Sequence, residues 1–325
     1  MVVDSSASCW RGCRCPERAA MRNATPQVPD GVTPTITELV ALRGVAASPR
    51  HARRVRTTHA GLANSPMRGR GMEYAESREY TVGDDARHVD WRLTARTGRA
   101  HTKVFHAERE RLTLLVVDTN AALYFGTRVR FKSVQAARAG AVIAWHAVGE
   151  GDRVAVLRAS PREAPVSPAG GPRGALRVID ALSRWYATRP EDDLGLPTAL
   201  ERAQRLLRPG ARVVVLADPS SLETVPLHRW SALARHHDAA IVLLNDPIET
   251  APPSLSVPFS TGDGRVEVAL DDRETRDRWL ARFAAPLQRA TEALPGRGVR
   301  VMALSTTDPS EACLALLRGR VAQVA

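Results

Sequence analysis

Two strand-like apolar runs in this chain end in aspartate: LTLLVVD at Asp118 and ARVVVLAD at Asp218. Thr119 and Asn120 follow the first, and Thr198 lies in the loop leading into a later helical stretch. Carboxylate, hydroxyl and carboxamide oxygens from separate loops are the ligands a hard cation such as Mg²⁺ takes. In open α/β sheets such loops meet outside the carboxyl ends of the strands, near a topological switch point. The residues therefore offer oxygens to a hard divalent cation, Mg²⁺ or Mn²⁺, from Asp118, Thr119, Asn120, Thr198 and Asp218. Asp118 also has a plainer use, capping the turn that follows it and pairing with a nearby arginine. Both readings are open on the residues alone.

Those loops need a scaffold, and the pattern supplies one. Leu112 to Val117 is a continuous apolar run, the mark of a strand covered on both faces. Helical periodicity over Lys132–Val148, a strand at Arg153–Arg158, helices at Arg173–Tyr186 and Leu196–Leu207, and a buried strand at Arg212–Leu216 follow in alternation. A helix at Leu227–His237 and a strand at Ala240–Asn245 continue it. Leu255–Phe259 and Arg265–Leu270 flank the turn TGDG and read as a hairpin insert. Asp271–Ala293 is a long charged helix, Val299–Leu304 a last strand and Pro309–Arg318 a last helix. The expected fold is α/β, a doubly wound, mostly parallel sheet with an N-terminal irregular extension and a β-hairpin insert near 255–270. The expected organisation is 1–34 as tail and linker, 35–110 as a segment packed on the core, and 111–325 as the α/β domain.

Composition bounds the function. The formal charge is +11, and all but two of the 46 basic residues are arginine, the exceptions being Lys103 and Lys132. The arginines are interleaved with acids along the chain, which suits a solvated basic surface better than a nucleic-acid stripe. No apolar run approaches the roughly 18 residues a membrane helix needs, and the start shows no signal-like apolar segment, so the cytoplasm is the expected compartment. Cys9, Cys13 and Cys15 lack paired zinc spacing, and Met21 is a plausible alternative start. Nucleophile-elbow, P-loop and dinucleotide fingerprints are not found. His236–His237 suit a helix end, and His88 reads as a surface partner of Arg87 and Asp90.

A second constellation lies upstream, in REYTVGDDARHVDWRLTARTGRAHTKVFHAERE (78–110). Arg78, Asp84, Asp85, Arg87, Asp90 and Arg96 surround Tyr80, Gly83 and Trp91. Such a mix can form arginine–carboxylate pairs that pin an irregular segment. It can equally present a docking surface, because tryptophan and arginine are common interface anchors. Asp84 and Asp85 side by side offer a further metal reading.

This block resembles the signature of a bacterial family catalogued as domain of unknown function 58, which runs R-x-Y-x-x-G-D-D-x-R-x-I-D-W-x-x-x-A-R. Arg78, Tyr80, Gly83, Asp84, Asp85, Arg87, Asp90, Trp91, Ala95 and Arg96 match it, with Val89 in place of isoleucine. LTLLVVDTNAALYFGT, the helix that follows it and VVVLAD are similar to the von Willebrand factor A layout, and the likeness spans roughly residues 35 to 250. The resemblance implies a metal-ion-dependent adhesion site of form D-x-S-x-S, completed by a threonine and an aspartate from two further loops. By position Asp118 is the first aspartate, Asn120 and Ala122 stand where serines belong, Asp218 is the distal aspartate and Thr198 a stand-in for the threonine. Alanine supplies no ligand, so the implied site is degenerate. The family further implies a non-enzymatic adaptor or co-chaperone working with a MoxR-type AAA+ ATPase, and with other von Willebrand A proteins. The alternatives from other classes are a metal-dependent enzyme using the Asp118/Asp218 crevice and an arginine-rich nucleic-acid binder.

Overall fold

The computed structural model describes residues 30–46, 72–81, 84–107, 111–261 and 264–318. Readings that fall on Met21, the three early cysteines or Gly83 lie outside the described residues.

In chain order the elements are α1 (Ile36–Ala41), α2 (Arg43–Ala46), β1 (Met72–Glu79), α3 (Trp91–Thr97), β2 (His101–Ala107), β3 (Leu112–Val117), α4 (Lys132–Gly149), β4 (Arg153–Arg158) and β5 (Val166–Ala169). There follow α5 (Gly171–Ala187), α6 (Leu196–Leu206), β6 (Arg212–Ala217), α7 (Pro219–Leu222), α8 (Leu227–His236), β7 (Asp238–Asn245) and α9 (Pro247–Thr250). The described chain closes with β8 (Ser256–Thr261), β9 (Gly264–Ala269), α10 (Arg273–Ala293), β10 (Arg300–Ser305) and α11 (Leu314–Arg318).

Six strands form one sheet in the order β10-β7-β6-β3-β4-β5. All its pairings are parallel except β4 with β5. The arrangement is Rossmann-like, a mostly parallel sheet with helices on both faces. The continuous apolar strands follow from that covering. On β3, Leu115 and Val117 join α4 and α5 in one buried cluster, while Leu114 and Val116 join α6 and α8 in the other. Alternate side chains therefore enter separate cores, and neither parity needs to be polar.

Helix α4 is buried almost all round, which explains its run of alanines and its close approach to α5. A Cβ on Gly140 would sit 2.7 Å from a Leu182 methyl. β3 pairs with both β4 and β6. The chain thus leaves β3 for one side of the sheet and returns later to the other. The crevice between the carboxyl ends of β3 and β6 is the switch point where α/β ligands bind.

The expected hairpin insert is β8–β9, antiparallel. Two features depart from expectation. β5 is a short antiparallel edge strand, invisible as a periodic signal because VSPA is only four residues long. The N-terminal block is not irregular: β1 and β2 pair antiparallel from Met72↔Ala107 to Glu79↔His101, with α3 between them. Its density of charged residues hid the strands, because the network described below occupies the turn rather than a hydrophobic face.

Candidate functional site

Asp118 and Asp218 emerge side by side at the switch point. The N–H of Asp118 donates to Leu216 O at 2.9 Å, extending the parallel ladder by one bond. Both carboxylates then turn inward, at 2% and 4% exposure. Asp118 Oδ1 accepts from Asn120 N at 3.0 Å and Oδ2 from Asp218 N at 3.2 Å. Tyr186 donates its hydroxyl to Asp118 O at 2.7 Å and fixes the strand end from below. The capping half of the two readings of Asp118 is therefore realised. The arginine expected beside it is not among these partners, and backbone N–H groups take that role.

The rest of the loop is tightly built. Asn120 Oδ1 accepts from Ala122 N at 2.9 Å and caps a 3-10 turn over Ala121–Leu123. A Cβ on Gly126 would lie 2.2 Å from Arg130 O, so the Phe-Gly-Thr turn needs glycine. Thr127 donates to Asp246 through both its N–H, at 3.0 Å, and its hydroxyl, at 2.6 Å. Asp246, fully buried, also accepts from Thr306 Oγ1 at 2.7 Å. One carboxylate thereby fastens the loop to the ends of β7 and β10.

Where the loops after β6 and β7 meet, beside the crevice, stands a residue not singled out from sequence as part of the site. Lys132, the first residue of α4, is 1% exposed. Its ammonium donates to Asp218 Oδ2 and to Glu249 Oε1, each at 2.6 Å. It also lies 5.9 Å from the centroid of the Phe125 ring. Burial works against its charge, but Asp218 and Glu249 outweigh that and raise its pKa. Glu249 is itself pushed up, by burial first, with the Asp218 charge adding to it against the pull of Lys132. The other oxygen of Glu249 accepts from Asp246 N at 2.8 Å in a capping box. Asp218 Oδ1 accepts from Ser220 N at 2.9 Å and Ser220 Oγ at 2.6 Å.

A clue to Lys132 was present in the sequence. A cation at a helix N-terminus opposes the helix dipole, and this chain otherwise uses arginine almost everywhere. A lysine in that position has to be compensated, and two carboxylates do so.

This donor set does not fit an octahedral Mg²⁺ or Mn²⁺. The oxygens of Asp118 face backbone donors, Asn120 caps, and Ala122 offers nothing. Thr198 Oγ1 donates to Leu194 O at 3.1 Å within its own helix start, and an ammonium stands against Asp218. The described residues contain no group of three or more His, Cys, Asp and Glu side chains able to hold a metal ion. Burial lifts the Asp118 carboxyl to about 6, against the backbone N–H groups of Asn120 and Asp218, which pull it down. A group so poised could serve as a base, yet its burial and backbone partners keep it from reaching substrate.

The signature block forms a separate network. Asp84 accepts from Arg78 Nη2 at 2.7 Å and from Thr81 N at 3.0 Å. The Thr81 N–H first, and then the Thr81 hydroxyl and the Arg78 guanidinium, hold Asp84 below the usual carboxylate range. Tyr80 donates its hydroxyl to Asp84 O at 3.2 Å. Asp85 caps the 3-10 turn Ala86–His88 by accepting from Arg87 N. Asp84 and Asp85 thus have different tasks. Asp90 caps α3 by accepting from Leu93 N at 3.1 Å, and takes Ser77 Oγ at 2.9 Å on its other oxygen. This frame carries Trp91 at 72% exposure, with Arg87, Arg92 and Arg96 also exposed.

The family description "Protein of unknown function DUF58" matches residues 76–289. Curated relatives include Uncharacterized protein Mb1516 of Mycobacterium bovis and Uncharacterized protein Rv1480 of Mycobacterium tuberculosis. Each is 31% identical over 255 residues, covering 76% of this chain and 78% of the relative. With the signature residues gathered into one turn-and-helix frame, and the match running from that frame through the sheet into α10, this chain belongs to the DUF58 family of proteins of unknown function.

Proposed function

We propose that this chain is a non-enzymatic interaction module with a von Willebrand A-like α/β domain, an adaptor that works with a MoxR-type AAA+ ATPase. The observation that carries the reading is Trp91, exposed at 72% on a helix that the signature residues hold in place. A tryptophan buries on the order of 150–250 Å² when it is covered, and leaving it in water is a standing cost that a partner removes. Arg87, Arg92 and Arg96 around it call for a partner with an apolar pocket rimmed by carboxylates, since complementary rims speed association and exclude wrong partners. The Asp118/Asp218 crevice takes no direct part in this capture and stands as a degenerate, metal-independent counterpart of an adhesion site, holding the loops in place.

The test is a binding titration of a purified MoxR-type ATPase against the full chain and its Trp91→Ala variant, with a melting curve for each. Loss of binding of tenfold or more at an unchanged Tm supports the reading. Equal binding by both chains refutes it.

The same aromatic–arginine surface favours one other reading, stacking of single-stranded nucleic acid. That reading requires affinity falling with a log–log salt slope near −0.7 per phosphate neutralised.

A further inference from the structure

We propose that the ammonium of Lys132 is the resident cation of the switch-point crevice, a tethered charge that does for two buried carboxylates what a bound divalent ion would do. The geometry is that of a coordinated ion. The ammonium lies 2.6 Å from one oxygen on each of two carboxylates that come from different strand ends, Asp218 after β6 and Glu249 after β7. Both contacts are short charge-assisted hydrogen bonds. The ion is carried by the first residue of α4, whose other end of the loop is Asp118, so one side chain ties together the loops after β3, β6 and β7. Thr119 Oγ1, next to Asp118 in sequence, and Ser133 Oγ, next to Lys132, are buried without a protein hydrogen-bond partner. These are neutral oxygens of the kind that water or a metal ion would engage.

Two consequences follow. A buried ammonium repels a second cation, so the crevice is closed to divalent metals while Lys132 is present. And because Lys132 is 1% exposed, no carboxylate of a partner can reach it to complete its shell, as a partner does at an open metal site. Tethering makes the cation permanent, so the loops are fixed whatever the metal concentration.

The experiment uses the full chain in four forms: wild type, Asp218→Asn, Lys132→Ala, and Lys132→Ala with Asp218→Asn. Mn²⁺ binding is read by electron paramagnetic resonance and Ca²⁺ by the shift in Tm. The wild type should bind neither ion at this site at millimolar concentration. Lys132→Ala should gain one Mn²⁺ site and a Ca²⁺-dependent rise in Tm of several degrees, both lost on adding Asp218→Asn. A folded Lys132→Ala chain that gains no ion overturns the proposal. The wild-type arm stands even if Lys132→Ala does not fold: Mn²⁺ bound by wild type and released by Asp218→Asn alone also overturns it.

Discussion

Asp118→Asn tests the electrostatics of the crevice directly. The folded carboxyl titrates at about 6 against an ordinary value of 3.8, chiefly because burial disfavours its charge. A shift of about two units at 1.36 kcal/mol each corresponds to about 3 kcal/mol. The sign follows from linkage: the raised group favours the fold below its unfolded pKa, and that contribution is lost as pH rises through about 6. Wild type therefore loses about 2–3 kcal/mol between pH 4 and pH 7 from this residue alone. Asparagine is neutral throughout and carries no such dependence. It does turn an amide N–H₂ toward one of the two backbone donors, a pH-independent cost of about 1–3 kcal/mol. The absolute stabilities at neutral pH can thus nearly coincide, and the informative quantity is the difference between the chains across pH. Urea unfolding at half-unit steps from pH 4 to 7.5 measures it, and other titrating groups cancel in the subtraction. The variant should gain on wild type by about 2 kcal/mol or more as pH rises. A flat difference, or one of opposite sign, would refute the reasoning. The opposite sign would mean that a cation rests on Asp118.

Lys132→Met should destabilise by about 3–5 kcal/mol at neutral pH, because Asp218 and Glu249 keep their buried charges without a partner; chemical denaturation measures it. Thr198→Ala should change stability by less than about 0.5 kcal/mol, since its hydroxyl serves only its own helix start, and Tm within a degree or two of wild type checks it. Asn120→Ala removes a cap and should cost about 1 kcal/mol in the same assay. Gly126→Ala places a Cβ 2.2 Å from Arg130 O, and a loss of about 1–3 kcal/mol is expected from the forced backbone shift.

What the sequence determined by itself is the rhythm of the α/β domain and the position of its crevice. The apolar runs ending at Asp118 and Asp218, and the helical periods of α4, α5, α6 and α8, fixed the elements of the sheet to within a residue or two. They did so because burial of both faces of a parallel strand leaves a continuous, local signal. The signature pattern likewise placed Arg78, Asp84, Asp90 and Trp91 together, because their partners lie within about twenty residues along the chain. Tertiary structure decided the rest. β5, with four residues, is too short to show a period although its partner β4 is near in sequence, and the charge-rich β1 shows no strand pattern until it pairs with β2 across an intervening helix. The cation of the crevice was decided in the same way. Lys132 is 86 residues from Asp218 and 117 from Glu249, and only folding brings three loops close enough for one ammonium to pair with both carboxylates.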